Sequence, residues 1–409
     1  MTNLRQETIL LKARLFSLSI VLLLLGACDQ KTTQEAEKPL AGSFADNEAD
    51  TSRLPVRMID PDSLRNMSFL LAGKIAPEDA EELDPVWLEH ARFMDEAWTE
   101  IDLRLADMKT WAAQEGVAAD TAEAPLLYPL GGPDLISAMQ FFPQASSYLL
   151  IGLEAPGHLP EPEGFSAQAL SADLKRLRKP FSSFVQHGYF VRNEIDKDLS
   201  GGQFDGVLPI ILIGLVRAGQ VPLSLQYVEI DRETYAIVPA GPESKSAHAV
   251  LIQFQDENKL EDPEAKPRSV YYFSKDLSDR RFFSDEPFSR FIERQEMVNS
   301  YLKSAEYLLH TDDFSNFRKL VLKKTHTLLQ DDSGIPIRFL TSDTWDIRLY
   351  GQYSSVLAAY SHWLQEDLVA AFAKGKAVGE LGFDLGYNSK TDGGNLILSV
   401  RKTDDAAAP

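Results

Sequence analysis

Residues 126–154, which read LLYPLGGPDLISAMQFFPQASSYLLIGLE, decide the fold class of this chain. The apolar run Leu126–Tyr128 predicts a short strand, Pro133–Phe142 predicts a helix, and Tyr148–Leu153 predicts a second, buried strand. Two strands that are joined by one helix pair in parallel, because the crossover returns the chain to the edge from which it started. The stretch therefore predicts a βαβ unit and an α/β fold with a Rossmann-like sheet.

The turn after the first strand carries Gly131, Gly132 and Asp134, and Glu154 follows the second strand. This spacing resembles that of Rossmann domains that bind nucleotides or S-adenosylmethionine, and residues 204–225 resemble part of the methyltransferase fold. The resemblance implies that the glycines admit a ligand to the helix N-terminus and that the later acid binds ribose hydroxyls. A full G-x-G-x-x-G is absent, and these cofactors are cytosolic. The alternative is a Rossmann-like fold without a working cofactor site, so the cofactor stays unknown.

Alternating helices and strands follow on both sides of this unit. The hydrophobic patterns predict helices at Ala167–Arg178, Phe181–Ile195, Leu208–Ala218, Pro287–Met297, Ser300–His310 and Asp313–Gln330. They predict strands at Pro222–Ile230, His248–Phe254, Ser269–Phe273 and Pro336–Leu340. Before the unit, Asp84 and Pro85 begin a long helix that the apolar spacing extends to Gly116.

Two helix–glycine–strand joints look alike, one at Gly219 and one at Gly334. They indicate two similar α/β units. The alternative is that the two joints are unrelated, because such joints are common in α/β proteins. The boundaries that follow are a signal peptide at 1–27, a tether at 28–54, a helical lead segment at 55–120, and α/β units at 121–245 and 246–409.

Paired carboxylates make the stretch LQDDSGIP, residues 329–336, a candidate catalytic site. Asp331 and Asp332 would directly follow a helix, whose negative end raises the pKa of a carboxyl group. With His310 they would supply a general acid and base, or they would bind a divalent cation beside Ser333. The other interpretation is a polar loop in which Gly334 ends the helix.

His187, in the stretch FVQHGYF, is a further candidate ligand-binding residue beside Gly131, Gly132, Asp134 and Glu154. The sequence contains no H-E-x-x-H, no set of Cys and His metal ligands and no G-x-S-x-G. We therefore predict no metal site of those types and neither a metalloprotease nor a serine esterase.

The N-terminus has the pattern of a secretory signal, with basic residues in 1–14 and an apolar run at Leu15–Leu25. A helix of that run is about 16 Å long, too short for a bilayer core of about 30 Å. It ends in Leu25–Gly26–Ala27–Cys28, which resembles the lipobox of bacterial lipoproteins. The resemblance implies that Cys28, the only cysteine, becomes the acylated N-terminus and anchors the chain by its lipid chains, such as palmitate. The expected location is the bacterial envelope, with the folded part in the periplasm, and Asp29 favours the inner membrane.

The charge of the chain limits its partners. The sequence has 41 Lys and Arg against 61 Asp and Glu, a net charge of −20, and removal of three basic and one acidic residue with the signal peptide changes it to −22. This charge repels nucleic acid and anionic lipid surfaces, so no nucleic acid partner is expected. The expected partners are the membrane, through Cys28, and a protein or small molecule that the sequence does not identify.

Several strings, among them YPLGGPD, ASSYLLIGLEAPG and LLQDDSGIP, resemble those of a family of bacterial secreted or lipidated proteins without an assigned activity. The similarity spans about residues 125–400 and implies no catalytic residue. The function we expect is that of an envelope lipoprotein that binds a partner or organises the envelope. The alternatives are an envelope enzyme that uses Asp331 and Asp332, or a degenerate nucleotide- or S-adenosylmethionine-binding domain.

Overall fold

The structure is a computed structural model that describes residues 59–78, 80–159, 166–240, 248–374, 378–387 and 394–402. The expected signal peptide, Cys28 and the tether lie outside these ranges. Within the ranges, no helix is both long enough and apolar enough to cross a bilayer.

One mixed sheet forms the centre of the described chain, in the order β10-β9-β11-β8-β7-β1-β2-β6-β5-β3-β4. The strands are β1 Leu126–Pro129, β2 Ser147–Gly152, β3 Gln220–Ile230, β4 Ile237–Pro239, β5 Ala249–Asp256, β6 Arg268–Ser274, β7 Val298–Leu302, β8 Thr325–Gln330, β9 Trp345–Gly351, β10 Val378–Gly379 and β11 Asn395–Arg401. The five consecutive strands β8, β7, β1, β2 and β6 are parallel, and antiparallel strands extend the sheet on both sides. The predicted mixed α/β fold is confirmed.

Helices cover both faces of the sheet. They are α1 Pro61–Leu71, α2 Pro85–Gln114, α3 Leu135–Phe141, α4 Ala167–His187, α5 Arg192–Asp198, α6 Leu208–Arg217, α7 Asp279–Ser284, α8 Glu286–Arg294, α9 Ser315–Lys324 and α10 Glu366–Ala373. The first core contains buried side chains of α1 to α6, and the second contains those of α7 to α10. Because both faces are covered, the central strands are buried without alternation, as in β7, where all five residues are buried.

The order in which the chain adds strands to the sheet reverses at β1. It moves from β1 to β2 through α3, and the long connection from β6 to β7 then crosses to the other side of β1. Helix α3 contributes to one core, whereas α9, which joins β7 to β8, contributes to the other. β1 and β7 therefore flank a topological switch point, and in α/β proteins ligands bind at the carboxyl ends of strands at such a point.

The predicted βαβ unit and the long helix are confirmed. Asp84 caps α2, its carboxylate accepting a hydrogen bond from the Val86 N–H at 2.9 Å. The predicted break between Arg178 and Phe181 is wrong, since α4 continues through Pro180 and ends at Gly188, whose φ is 77°.

Three predictions for the second half are wrong. The predicted helix Ser300–His310 begins inside strand β7, and the predicted helix Asp313–Gln330 is helix α9 followed directly by strand β8. The predicted strand Pro336–Leu340 contains a short 3-10 helix. Strand β7 lies between two parallel strands, and β8 lies between the parallel β7 and the antiparallel β11, so pairing and burial outweigh the helical spacing of their apolar residues.

The second of the two similar joints is therefore not a helix–glycine–strand joint. Gly219 does separate α6 from a strand, although that strand, β3, begins at Gln220. Gly334 instead follows strand β8 and precedes a 3-10 helix. The similarity between the two joints, which indicated a duplicated α/β unit, is therefore absent at Gly334 in the structure.

Candidate functional site

The candidate site lies where the parallel strands β1, β7 and β8 end. Since the carboxyl ends of parallel strands share one edge of the sheet, the loops after these three strands are neighbours. They bring together Asp134, Lys303 and the pair Asp331 and Asp332. We call this region the carboxyl edge.

A buried ion pair joins the loops after β1 and β7. The Lys303 ammonium contacts the Asp134 carboxylate, and both side chains are almost completely buried. Lys303 also donates to Ser137 Oγ at 3.0 Å and to the Gly188 carbonyl at 2.8 Å. The Tyr128 hydroxyl donates a hydrogen bond to the Asp134 carboxylate at 3.0 Å. Burial of both charges is tolerated because each is paired and hydrogen-bonded.

The Asp134 carboxylate occupies the N-terminus of α3. It accepts a hydrogen bond from the Ser137 N–H at 3.1 Å and so caps the helix. In nucleotide-binding Rossmann folds this position holds a phosphate. A phosphate would have to displace Asp134 and its partner Lys303 to bind here.

Asp331 is a buried carboxyl group with few free lone pairs. It accepts hydrogen bonds from the N–H groups of Ser304, at 2.9 Å, and Ser333, at 3.0 Å, and from the Ser333 hydroxyl. Burial, followed by repulsion from Asp332, raises its pKa to about 7. The elevated pKa was expected from a helix terminus, and that reason is wrong because Asp331 follows strand β8.

Asp332 points to a different set of donors. Its carboxylate accepts hydrogen bonds from the Tyr307 hydroxyl at 2.6 Å and from the Asn395 amide at 2.9 Å. Burial, followed by the charge of Asp332, raises the pKa of Tyr307 strongly. The two carboxylates thus belong to one polar network at the carboxyl edge and hold the loop after β7.

That loop has an unusual backbone. Ser304, Glu306 and Tyr307 have φ of 52°, 51° and 56°, and Leu130, after β1, has φ of 63°. Left-handed conformations of non-glycine residues cost of the order of 1–3 kcal/mol each and cluster at functional sites. The Asp331 and Ser333 hydrogen bonds to Ser304 and Ala305 hold this conformation in place.

His310 lines an open cleft next to this network, about 470 Å³ in volume. The residue is 7% exposed, and its Nε2, which is itself buried, has no hydrogen-bond partner among the described residues. Burial, followed by the charge of Arg338, lowers its pKa to about 4. The ring is therefore neutral at pH 7. The cleft, which we call the His310 cleft, is lined by His310, Arg338, His362, Trp363, Leu364, Gln365, Glu366 and Asp367.

Gly131, Gly132 and Glu154 have structural roles at the carboxyl edge. A Cβ at Gly131 would collide with the Tyr128 ring, and Gly132 has φ of 55° and lies against Glu154. Glu154 is buried, accepts a hydrogen bond from the Leu153 N–H at 3.1 Å, and lies 3.4 Å from the Tyr272 hydroxyl. Burial raises its pKa. The Glu154 carboxylate is thus buried and hydrogen-bonded within the fold.

His187 lies at one end of a cluster of aromatic rings. Its ring centroid is 5.7 Å from that of Tyr189, which is 5.0 Å from that of Tyr387. Tyr387 donates to the Ser304 carbonyl at 2.7 Å and lies 5.1 Å from the Tyr360 ring. Rings at these distances pack on one another, and they cover the strained loop.

The structure therefore brings Asp331, Asp332 and His310 together and sets Asp134 and Lys303 beside them. The charges of Asp134 and Asp331 both act on buried Tyr301, which shows that the two groups are close. Sequence reasoning missed the side chains that connect these residues, namely Lys303, Tyr307, Arg338, Trp363, Gln365 and Asn395. A strand interpretation of Val298–Leu302 would have located Lys303 at the carboxyl edge.

In the part of the chain that the structure describes, no three His, Cys, Asp or Glu side chains are arranged to hold a metal ion. A divalent cation at Asp331 and Asp332 would also find no free carboxylate oxygen. These oxygens already accept hydrogen bonds from Ser304, Ser333, Tyr307 and Asn395.

No family model matches this chain, and no curated protein matches it.

Proposed function

We propose that this chain is a lipid-anchored envelope protein that binds a small molecule in the His310 cleft. The cleft adjoins the carboxyl ends of the parallel strands, the part of an α/β sheet that most often binds ligands. Its walls combine an aromatic ring, Trp363, with polar and charged side chains. This mixture is typical of small-molecule sites.

The observation that carries the proposal is the open cleft of about 470 Å³ beside the carboxyl edge, with Trp363 and Leu364 in its wall. His310, which also lines the cleft, is held in position by its neighbours, since its ring lies 5.2 Å from Tyr307 and 5.6 Å from Trp363.

The proposed cellular location rests on the N-terminal sequence. Basic residues, a short apolar run and the lipobox-like Leu25–Cys28 support export and acylation of Cys28, and Asp29 supports retention in the inner membrane. The negative charge of the chain argues against nucleic acid as a partner. The small molecule would thus be one that is present in the envelope.

An envelope enzyme that uses Asp331 is the second candidate. The observation in its favour is the pKa of Asp331, which burial raises to about 7, the range in which a general acid or base works well. Against it, the Asp331 carboxylate is occupied by Ser304 and Ser333 and covered by Gly386, where a Cβ would collide with it. A substrate has no free carboxylate oxygen to contact, so binding is the better-supported function.

A matched pair of leucine substitutions tests the proposed function. Leu364 lines the His310 cleft and is 40% exposed, and Leu103, on α2, is 67% exposed. Binding of benzyl alcohol, benzylamine and phenyl phosphate to the full chain in detergent is measured by ligand-observed NMR. We expect at least one probe to bind, Leu364→Trp to abolish its binding by filling the cleft, and Leu103→Trp to leave binding unchanged. If none of the probes binds, or if Leu364→Trp changes nothing, the proposal is wrong.

A further inference from the structure

We infer that the ligand of the His310 cleft is a carbohydrate, and that its sugar rings continue from the cleft onto a neighbouring row of aromatic side chains. The inference rests on the proposed function and names the chemical class of the ligand. Two observations carry it, namely the arrangement of the aromatic rings and the mixed polar groups of the cleft.

Aromatic rings form a continuous row across the carboxyl edge. The half-buried rings of His187, Tyr189, Tyr387 and Tyr360 follow one another at centroid distances of 5.7, 5.0 and 5.1 Å. The buried ring of Tyr307 lies 5.0 Å from that of Tyr360 and supports the row. We call the four half-buried rings the aromatic row.

The aromatic row joins the cleft at the 3-10 helix Ala358–Trp363. Tyr360 and Trp363 are three residues apart on this helix, and side chains at that spacing lie one above the other in a 3-10 helix. Their buried neighbours are also in contact, since the His310 ring lies 5.2 Å from Tyr307 and 5.6 Å from Trp363. A ligand that is longer than the cleft would therefore meet the ring of Tyr360 next.

Polar groups of both signs line the cleft. Arg338 only donates hydrogen bonds, whereas the carboxylates of Glu366 and Asp367 only accept them. The two carboxylates would repel an anion, and the guanidinium would repel an ammonium group. A hydroxyl group both donates and accepts hydrogen bonds. A neutral ligand that is rich in hydroxyl groups therefore suits all three side chains.

A sugar ring also has an apolar face that suits an aromatic surface. The C–H groups on one face of a pyranose meet the negatively polarised face of an aromatic ring, and the hydroxyl groups at its edge stay free for hydrogen bonds. Trp363 and Leu364 provide such an apolar wall in the cleft. The cleft volume of about 470 Å³ lies in the range of about 300–1,000 Å³ that is typical of small-molecule sites.

Two other classes of ligand bind to rows of aromatic rings. Nucleic acid bases stack on them, but the net charge of −20 repels the phosphates of a nucleic acid. Proline-rich peptides also dock on aromatic side chains, but a polyproline segment has no hydroxyl groups for the polar side chains of the cleft. The cleft and the row together thus favour a carbohydrate.

Calorimetric titration of the full chain, in a polyoxyethylene detergent without a sugar head group, tests the inference. The probes are cellotetraose, chitotetraose and maltotetraose, with octaproline as the peptide probe. Tyr360→Ala removes one ring of the row, and Tyr360→Phe keeps the ring. Phe283→Ala removes a 49% exposed ring on α7 and is the control. Glu366→Ala removes an exposed acceptor of the cleft, and its control is Glu229→Ala at an exposed position of β3.

We expect at least one tetrasaccharide to bind and Tyr360→Ala to weaken its binding about fivefold, the size of a single aromatic contact. Tyr360→Phe and Phe283→Ala should leave binding unchanged. Glu366→Ala should also weaken binding about fivefold, through the loss of a hydrogen bond, and Glu229→Ala should not. Circular dichroism verifies that each variant is folded, and Glu366→Ala decides the outcome if Tyr360→Ala does not fold.

Three results would overturn the inference. Sugar binding that neither Tyr360→Ala nor Glu366→Ala changes would place the sugar elsewhere. Binding of octaproline but of no sugar, lost in Tyr360→Ala, would make the row a peptide site. Binding of the aromatic probes in the cleft without binding of any tetrasaccharide would overturn the inference and leave the proposed function intact. Absence of binding by every probe, sugar or aromatic, would overturn both.

Discussion

Asp331 couples the stability of the fold to pH. Burial, followed by repulsion from Asp332, raises its pKa to about 7, whereas in the unfolded chain a carboxyl has a pKa of about 4. Between these values the folded chain holds a proton that the unfolded chain has released. The free energy of unfolding therefore falls as the pH rises from about 4 to 7, and it becomes flat above that range.

Replacement of Asp331 by Asn should remove most of this dependence. We expect the wild type to lose roughly 3 kcal/mol of unfolding free energy between pH 4 and 7, because each pH unit corresponds to about 1.4 kcal/mol. In Asp331→Asn a smaller slope remains, since burial also raises the pKa of Glu154. Urea unfolding at several pH values measures the slope, with Asp346→Asn, at an exposed position of β9, as the control. An undiminished slope in Asp331→Asn would contradict the assignment of this group.

Lys303 neutralises a carboxylate that has almost no access to water. Lys303→Met leaves Asp134 buried without its cation, and we expect the free energy of unfolding to fall by about 3–5 kcal/mol. Adding Asp134→Asn should restore much of this loss, because asparagine is neutral and still caps α3. Chemical denaturation of the single and double variants measures the coupling.

The control for this pair is Lys319→Met, at an exposed position of α9. It should change the free energy of unfolding by no more than about 0.5 kcal/mol. A loss in Lys303→Met no larger than that of the control would show that Asp134 does not depend on its partner.

The long helix α2 depends on its first residue outside the helix. Asp84 accepts from the Val86 N–H at 2.9 Å, and Pro85 has the backbone angle that a first turn requires. Asp84→Ala should lower the free energy of unfolding by about 1 kcal/mol, and Asp84→Asn should be nearly neutral because it keeps the cap. Thermal and urea unfolding followed by circular dichroism compare the two. Equal stability of these variants would rule out the capping role.

The junction between α9 and β8 explains why the sequence pattern predicted a single helix here. Residues 315–330 contain no glycine and no proline, so no local signal separates the helix from the strand. Thr325 makes the change with extended backbone angles, and its hydroxyl donates to the Val321 carbonyl at 2.6 Å. Pairing with β7 on one side and β11 on the other then stabilises the strand.

For the whole molecule, the membrane location is the property for which the sequence carries the most specific signal. If Cys28 carries the lipid, Cys28→Ser should release the chain from the membrane fraction and block precursor processing. Cell fractionation and mass spectrometry of the N-terminus measure both effects, with Ser43→Ala in the expected tether as a control. If Asp29 retains the chain in the inner membrane, Asp29→Ser should move it to the outer membrane. Unchanged membrane attachment of Cys28→Ser would refute acylation at this residue.

The sequence by itself determined the α/β class, the βαβ unit of residues 126–154 and the long helix that begins after Asp84. These features depend on patterns within a short window, such as apolar periodicity, a capping residue and a proline, which act before distant parts of the chain meet. The same local patterns also singled out the residues that the structure then brings to the carboxyl edge, Asp134, His310, Asp331 and Asp332.

Only the tertiary structure decided that Val298–Leu302 and Thr325–Gln330 are strands, that Lys303 pairs with Asp134, and that Asp331 is deeply buried. Strand pairing, burial from both faces of a sheet and ion pairs between residues far apart in sequence are long-range effects. Their energies depend on neighbours that a short window does not contain. The cleft beside His310 exists for the same reason, because its walls come from three segments that only the fold brings together.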